Sequence, residues 1–112
     1  MSKTLKLITP IDGSVYVERP YATEAEVAAA FDRASEAQAA WKRVPISERA
    51  ALMTKFVHAF VAMKDEIVPE LAWQMGRPIA YGGNEVNGFA DRARHMIKIA
   101  PECLEHVRPD PI

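Results

Sequence analysis

Cysteine is almost missing from this chain. The single one among 112 residues, Cys103, excludes an internal disulfide and suits a reducing compartment. Glycine is sparse, at five residues. None of the five falls in G-x-G-x-x-G or in a P-loop, so no glycine-rich nucleotide cradle is written into the sequence. An excess of one charge is also missing. Fourteen Lys and Arg face fifteen Asp and Glu, for a net charge of −1, which removes the basic field that nucleic acid or an anionic membrane requires. No apolar run approaches the ~20 residues that span a bilayer. The opening stretch Met1 to Pro10 lacks the apolar centre of a signal peptide. The expectation is a soluble, cytoplasmic chain with no nucleic-acid or membrane partner.

What is present is apolar periodicity. Hydrophobic residues make up 49% of the chain and charged residues 26%, the balance of an ordinary globular domain, and the length allows one such unit. Residues 5–19 are expected to form a β-hairpin. Leu5 and Leu7 alternate with Lys6, Val15 and Val17 alternate with Tyr16, and Pro10-Ile11-Asp12-Gly13 supplies turn residues between them. A helix is expected over 23–41, opened by the Thr23/Glu26 capping box and lined by Val27, Ala30, Phe31, Ala34, Ala37 and Trp41.

The stretch from Ile46 to Pro78 reads as two helices, 47–62 and 64–75, with a break near Met63. Ser47 is the expected N-cap of the first, which carries Leu52, Met53, Phe56, Val57, Phe60 and Val61 on one face. The second carries Ile67, Val68, Leu71, Ala72 and Met75 and stops at Gly76. Its Pro69 is expected near the tolerant first turn. Gly82 and Gly83 read as a loop, with Asn84 capping a fourth helix over 84–100. Pro101 is expected to end that helix or to start a short one reaching Val107. The tail 108–112 has no helical character. The fold class is therefore predominantly α with an N-terminal β-hairpin.

Each chemistry-bearing residue has a plainer explanation. Cys103 lies one helical turn from His106, a potential base, but Glu102 and Glu105 flank the thiol and oppose its ionisation. A structural or incidental cysteine is expected. His58, His95 and His106 show no paired ligand spacing, and no second cysteine joins them, so no metal site is expected. Asp65, Glu66 and Glu70 suit a helix start, where carboxylates complement the dipole. Arg92, Arg94 and Lys98 read as the solvated face of the fourth helix. The site prediction is accordingly catalytic none, cofactor-binding none and metal none.

The order of these features resembles the N-terminal region of the aldehyde dehydrogenase superfamily. The resemblance is carried by Pro10-Ile11-Asp12-Gly13-Ser14-Val15, Thr23-Glu24-Ala25-Glu26-Val27 and Ala37-Gln38-Ala39-Ala40-Trp41. It continues through Pro45-Ile46-Ser47-Glu48-Arg49-Ala50, Met75-Gly76-Arg77-Pro78 and Glu85-Val86. It covers about Leu7 to Val107.

The resemblance implies an NAD- or NADP-dependent oxidation of an aldehyde to a carboxylic acid, performed by a much longer protein. In that family the nucleophilic cysteine, the glutamate that activates water and the dinucleotide-binding segments lie downstream. Cys103 stands outside any G-Q-x-C context and inherits no role. Glu85 inherits none either, although the corresponding backbone approaches a monovalent cation in some relatives. On this basis the chain is expected to be an N-terminal segment, the opening helical layer of a cofactor-binding domain, incomplete and inactive alone. Its expected partner is the remainder of the dehydrogenase or a further copy in a homo-oligomer. The alternative is a stand-alone helical interaction module without enzymatic activity.

Overall fold

The computed structural model describes residues 4–107, so the prediction for 108–112 lies outside the described residues. Two strands precede four helices: β1 (Thr4–Ile8), β2 (Val15–Pro20), α1 (Glu24–Trp41), α2 (Ile46–Ala62), α3 (Lys64–Met75) and α4 (Ile79–Cys103). The fold is predominantly α with an N-terminal β-hairpin.

The strands pair antiparallel, and Lys6 and Glu18, opposite in register, form a 3.0 Å ion pair. Gly13 adopts φ +76° in the turn, a conformation that suits glycine. The Asp12 side chain accepts from the Ser14 amide at 2.9 Å. Register shifts between Leu7 and Ile8: Leu7 faces Val17 and Ile8 faces Val15, so Tyr16 has no partner across the ladder. This is a β-bulge, which bends the strand and re-aims a side chain.

α1 starts as its sequence dictates. Thr23 Oγ1 accepts from the Glu26 amide at 3.2 Å, and Glu26 Oε2 accepts from the Thr23 amide at 2.7 Å. That amide, followed by the Thr23 hydroxyl, holds the Glu26 carboxyl below its ordinary range.

The core is a seam in which α4 packs across α2 and α3. Its buried apolar residues are small: Val57, Ala72, Val86 and Ala90. Small side chains let helix backbones approach closely, and Gly82 of α4 takes this furthest. A Cβ built there would lie 2.7 Å from Val68 Cγ1 of α3. Beside this seam Phe60 and Phe89 pack with ring centroids 4.3 Å apart, and Phe56 meets Phe89 edge-on at 6.0 Å.

Several boundaries differ from those expected. α2 begins at Ile46, with Pro45 in the N-cap position and no side-chain cap, so Ser47 is already inside the helix. α4 begins at Ile79, with Pro78 at its N-cap, and runs through Gly82, Gly83 and Asn84. Proline preset to φ −57° starts the helix, and the two glycines serve close packing rather than a loop. α4 also continues past Pro101 to Cys103. Pro69 is the sixth residue of α3, beyond the first turn. Its missing N–H leaves one rung open at the exposed Asp65.

The radius of gyration is 19.8 Å, against about 13 Å for a compact chain of this length. The helices form a layer rather than a closed globule, with α1 projecting from it and burying none of its residues. The glycines of α4 provide an internal test. Gly82→Ala is expected to lower stability by about 1–3 kcal/mol, because Val68 is a stiff β-branched neighbour that must move. Gly88→Ala, with nothing within 4 Å of the new methyl, is expected to raise it by about 1 kcal/mol. Thermal melts of the two variants should shift in opposite directions.

Candidate functional site

The residues with chemical potential do not converge. Cys103 is exposed at the last position of α4, and His106 is exposed in the segment after it. His58 and His95 are exposed on α2 and α4. Asp65 and Glu66 lie in the first turn of α3. Arg92, Arg94 and Lys98 lie on α4, with Arg94 3.5 Å from Asp91. Glu85 forms a 2.8 Å ion pair with Arg77 that ties α4 to the turn preceding it. Among the described residues no group of three or more His, Cys, Asp or Glu side chains comes together. No helix among them is long and apolar enough to cross a membrane.

The described residues also do not fit a dinucleotide. Their sheet is a single antiparallel hairpin, without the parallel β-α-β crossover that delivers a helix N-terminus to a pyrophosphate. Gly82, Gly83 and Gly88 are spent inside a helix, and the two glycines with positive φ serve a hairpin turn and a helix C-cap.

What the chain presents instead is apolar surface. An open cleft of about 340 Å³ runs between α2 and α4, lined by Ile46, Met53, Ala93, Met96, Ile97 and Leu104 among others. A second apolar stripe lies on α1, where Val27, Ala30, Phe31 and Ala34 face outward. Phe31 is 72% exposed, so the largest residue of that face is uncovered. Faces with this patterning are built to be covered.

Beside the packing of Pro10 against Gly76 at the end of α3, a polar cluster that the sequence pattern did not reveal ties the hairpin to the layer. The bulge directs Tyr16 at α3. Its ring stacks on Trp73 with centroids 5.7 Å apart and planes 3° from parallel. Its hydroxyl donates to Glu70 Oε1 at 2.7 Å, and Gln74 Nε2 donates to Glu70 Oε2 at 2.6 Å. Simple alternation puts Tyr16 on the polar side of its strand. The only sequence signal for its role is a Tyr, a Trp and a Glu–Gln pair one helical turn apart.

The model of the aldehyde dehydrogenase family matches residues 1–110. The chain belongs to the aldehyde dehydrogenase family. The match falls in the N-terminal region of its relatives. It is 35% identical over 100 residues to the N-succinylglutamate 5-semialdehyde dehydrogenase of Erwinia tasmaniensis, covering 86% of this chain and 20% of that protein. It is 26% identical over 98 residues to the NADP(+) succinate-semialdehyde dehydrogenase of Deinococcus radiodurans, covering 88% of this chain and 20% of that protein. The crystal structure of an NAD-dependent benzaldehyde dehydrogenase from Corynebacterium glutamicum superposes with a TM-score of 0.85 at 24% identity. That match covers 98% of this chain and 24% of that one. The chain thus spans about a fifth of the length of the curated dehydrogenases it matches.

Within this dehydrogenase segment the Tyr16–Glu70 cluster carries a pH signature. The Gln74 amide, and after it the Tyr16 hydroxyl, hold the Glu70 carboxyl below its ordinary value of 4.5. The bond to Glu70 raises the Tyr16 phenol above its ordinary 10.0. A depressed carboxyl stabilises the dock above its free value and loses that contribution as pH falls through the folded value. A raised phenol stabilises it below its free value and loses that contribution as pH rises through the folded value. Hairpin docking should therefore weaken both in acid below about pH 4.5 and in base above about pH 10. In an NMR titration, the Trp73 indole resonance should move in both windows in the parent. In Tyr16→Phe the basic transition at Trp73 should vanish, and the acidic one should shrink.

Proposed function

We propose that this chain is the N-terminal segment of an NAD(P)-dependent aldehyde dehydrogenase, and that its work is scaffolding. It supplies a helical layer and a hairpin that cover one side of the cofactor-binding domain, while catalysis and dinucleotide binding belong to the rest of that enzyme. The observation that carries this reading is a full-length fold match to a dehydrogenase of about four times the length combined with outward-facing apolar surfaces on α1 and between α2 and α4. A layer evolved against a larger body presents its contact faces when seen by itself. The same reading makes the enzyme a cytoplasmic homo-oligomer. It also puts the choice of aldehyde, and of NAD against NADP, in residues downstream of this segment.

A second reading rests on the same exposed faces. The 112-residue chain on its own would bury them by self-association, acting as a helical interaction module without enzymatic activity.

The test uses the chain with its length verified by intact mass. Incubated with NAD or NADP and an aldehyde such as benzaldehyde or succinate semialdehyde, it should produce no aldehyde-dependent NADH or NADPH absorbance, and calorimetry should register no dinucleotide binding. Turnover by a chain of this verified length would overturn the scaffold reading. Sedimentation then separates the two: a reversible dimer or higher species supports the self-associating module, and a well-folded monomer that binds no apolar dye opposes it.

A further inference from the structure

We propose that Arg49 is the pin that sets the direction in which α1 projects. α1 buries no residue of its own and forms none of the principal helix–helix interfaces, which join α2, α3 and α4. Something other than packing must fix it, and the four residues Lys42–Pro45 that connect it to α2 are where a fixed angle is made. Arg49 reaches back across that connection. Its Nε donates to the Val44 carbonyl at 2.8 Å, and its Nη2 donates to the Lys42 carbonyl at 2.9 Å. The guanidinium carbon lies 5.4 Å from the centroid of the Trp41 ring. One side chain thus holds the last residue of α1, its C-cap and the linker at once.

The electrostatics support the assignment. α1 ends without a basic residue in its last turn, while the amides of Lys42, Arg43 and Val44 take up the carbonyls of Gln38, Ala40 and Trp41 at its end. Arg49 brings a cation to this end and donates to the next carbonyls along, those of Lys42 and Val44, from seven residues beyond the C-cap Lys42. It sits in the first turn of α2, where a cation opposes the dipole of its own helix. Its placement is unfavourable for α2 and favourable for α1, which marks it as a residue serving the joint. The planar fork is well shaped for such a joint. Two donors meet two carbonyls while the face lies on an indole, an arrangement a lysine ammonium cannot reproduce.

Arg49 also lines the α2–α4 cleft, so the pin couples the two apolar faces. The stripe on α1 is held at a set direction from the cleft. A body covering both meets a preset shape and does not have to order α1 on contact. This is a property of the chain's own joint and stands whether or not the scaffold reading holds.

The test is a distance measurement by pulsed electron–electron spin resonance. Spin labels are placed at Glu36→Cys on α1 and Lys55→Cys on α2, both exposed positions, in the full chain carrying Cys103→Ser. The parent should give a narrow distance distribution. Arg49→Ala and Arg49→Lys should each broaden it about two-fold, with helical circular dichroism unchanged, because each loses the bidentate, stacked geometry. If the alanine variant loses helicity, the lysine variant decides. A broad distribution in the parent, or an unchanged width in either folded variant, overturns the proposal.

Discussion

The seam of α4 against α2 and α3 is the constraint on which the rest of the structure depends. Its enclosed residues are Val57, Ala72, Val86 and Ala90, and at Gly82 the space for a side chain is already filled by Val68. Interiors are close-packed, so small residues at a helix crossing act by permitting proximity, and every added methyl at such a point must displace something. This requirement explains why α4 stays helical through two adjacent glycines. The cost in helix propensity, roughly 1 kcal/mol for each glycine, is offset by the close approach of α3.

The remaining elements are attached to this seam by different physics. The hairpin is held by a stacked Tyr–Trp pair and a hydrogen-bonded carboxylate. α1 is held by a guanidinium on two backbone carbonyls. Both attachments are directional and lie near the surface, whereas the seam is apolar and enclosed. Polar anchors fix angle without requiring burial. That division lets a chain with a radius of gyration of 19.8 Å hold its arms in place while leaving their apolar faces open.

The proposed scaffold role rests on those faces rather than on any reactive group. The side chains that chemistry requires are dispersed, and the glycines that a dinucleotide requires are used for turns, caps and packing. Membership of the aldehyde dehydrogenase family is what lets the exposed stripe on α1 and the α2–α4 cleft be proposed as contact faces of a layer within a larger architecture.

The sequence alone determined the fold class, because local patterns decide it. The Thr23/Glu26 capping box, the turn around Asp12-Gly13 and the left-handed Gly76 cap act within a few residues and need no distant partner. The ordered residues Pro10-Ile11-Asp12-Gly13, Pro45 to Ala50 and Met75-Gly76-Arg77-Pro78 likewise made the family legible. Tertiary structure decided what depends on residues far apart in the chain. Gly82 and Gly83 look like a loop until Val68 and Lys64 are seen against them. Tyr16 looks solvent-facing until a bulge turns it onto Trp73, more than fifty residues away. Arg49 reads as an ordinary helix residue until its contacts to Lys42, Val44 and Trp41 are known. In each case the local preference is weak, on the order of 1 kcal/mol, and a packed neighbour or a charge-assisted bond at close range outweighs it.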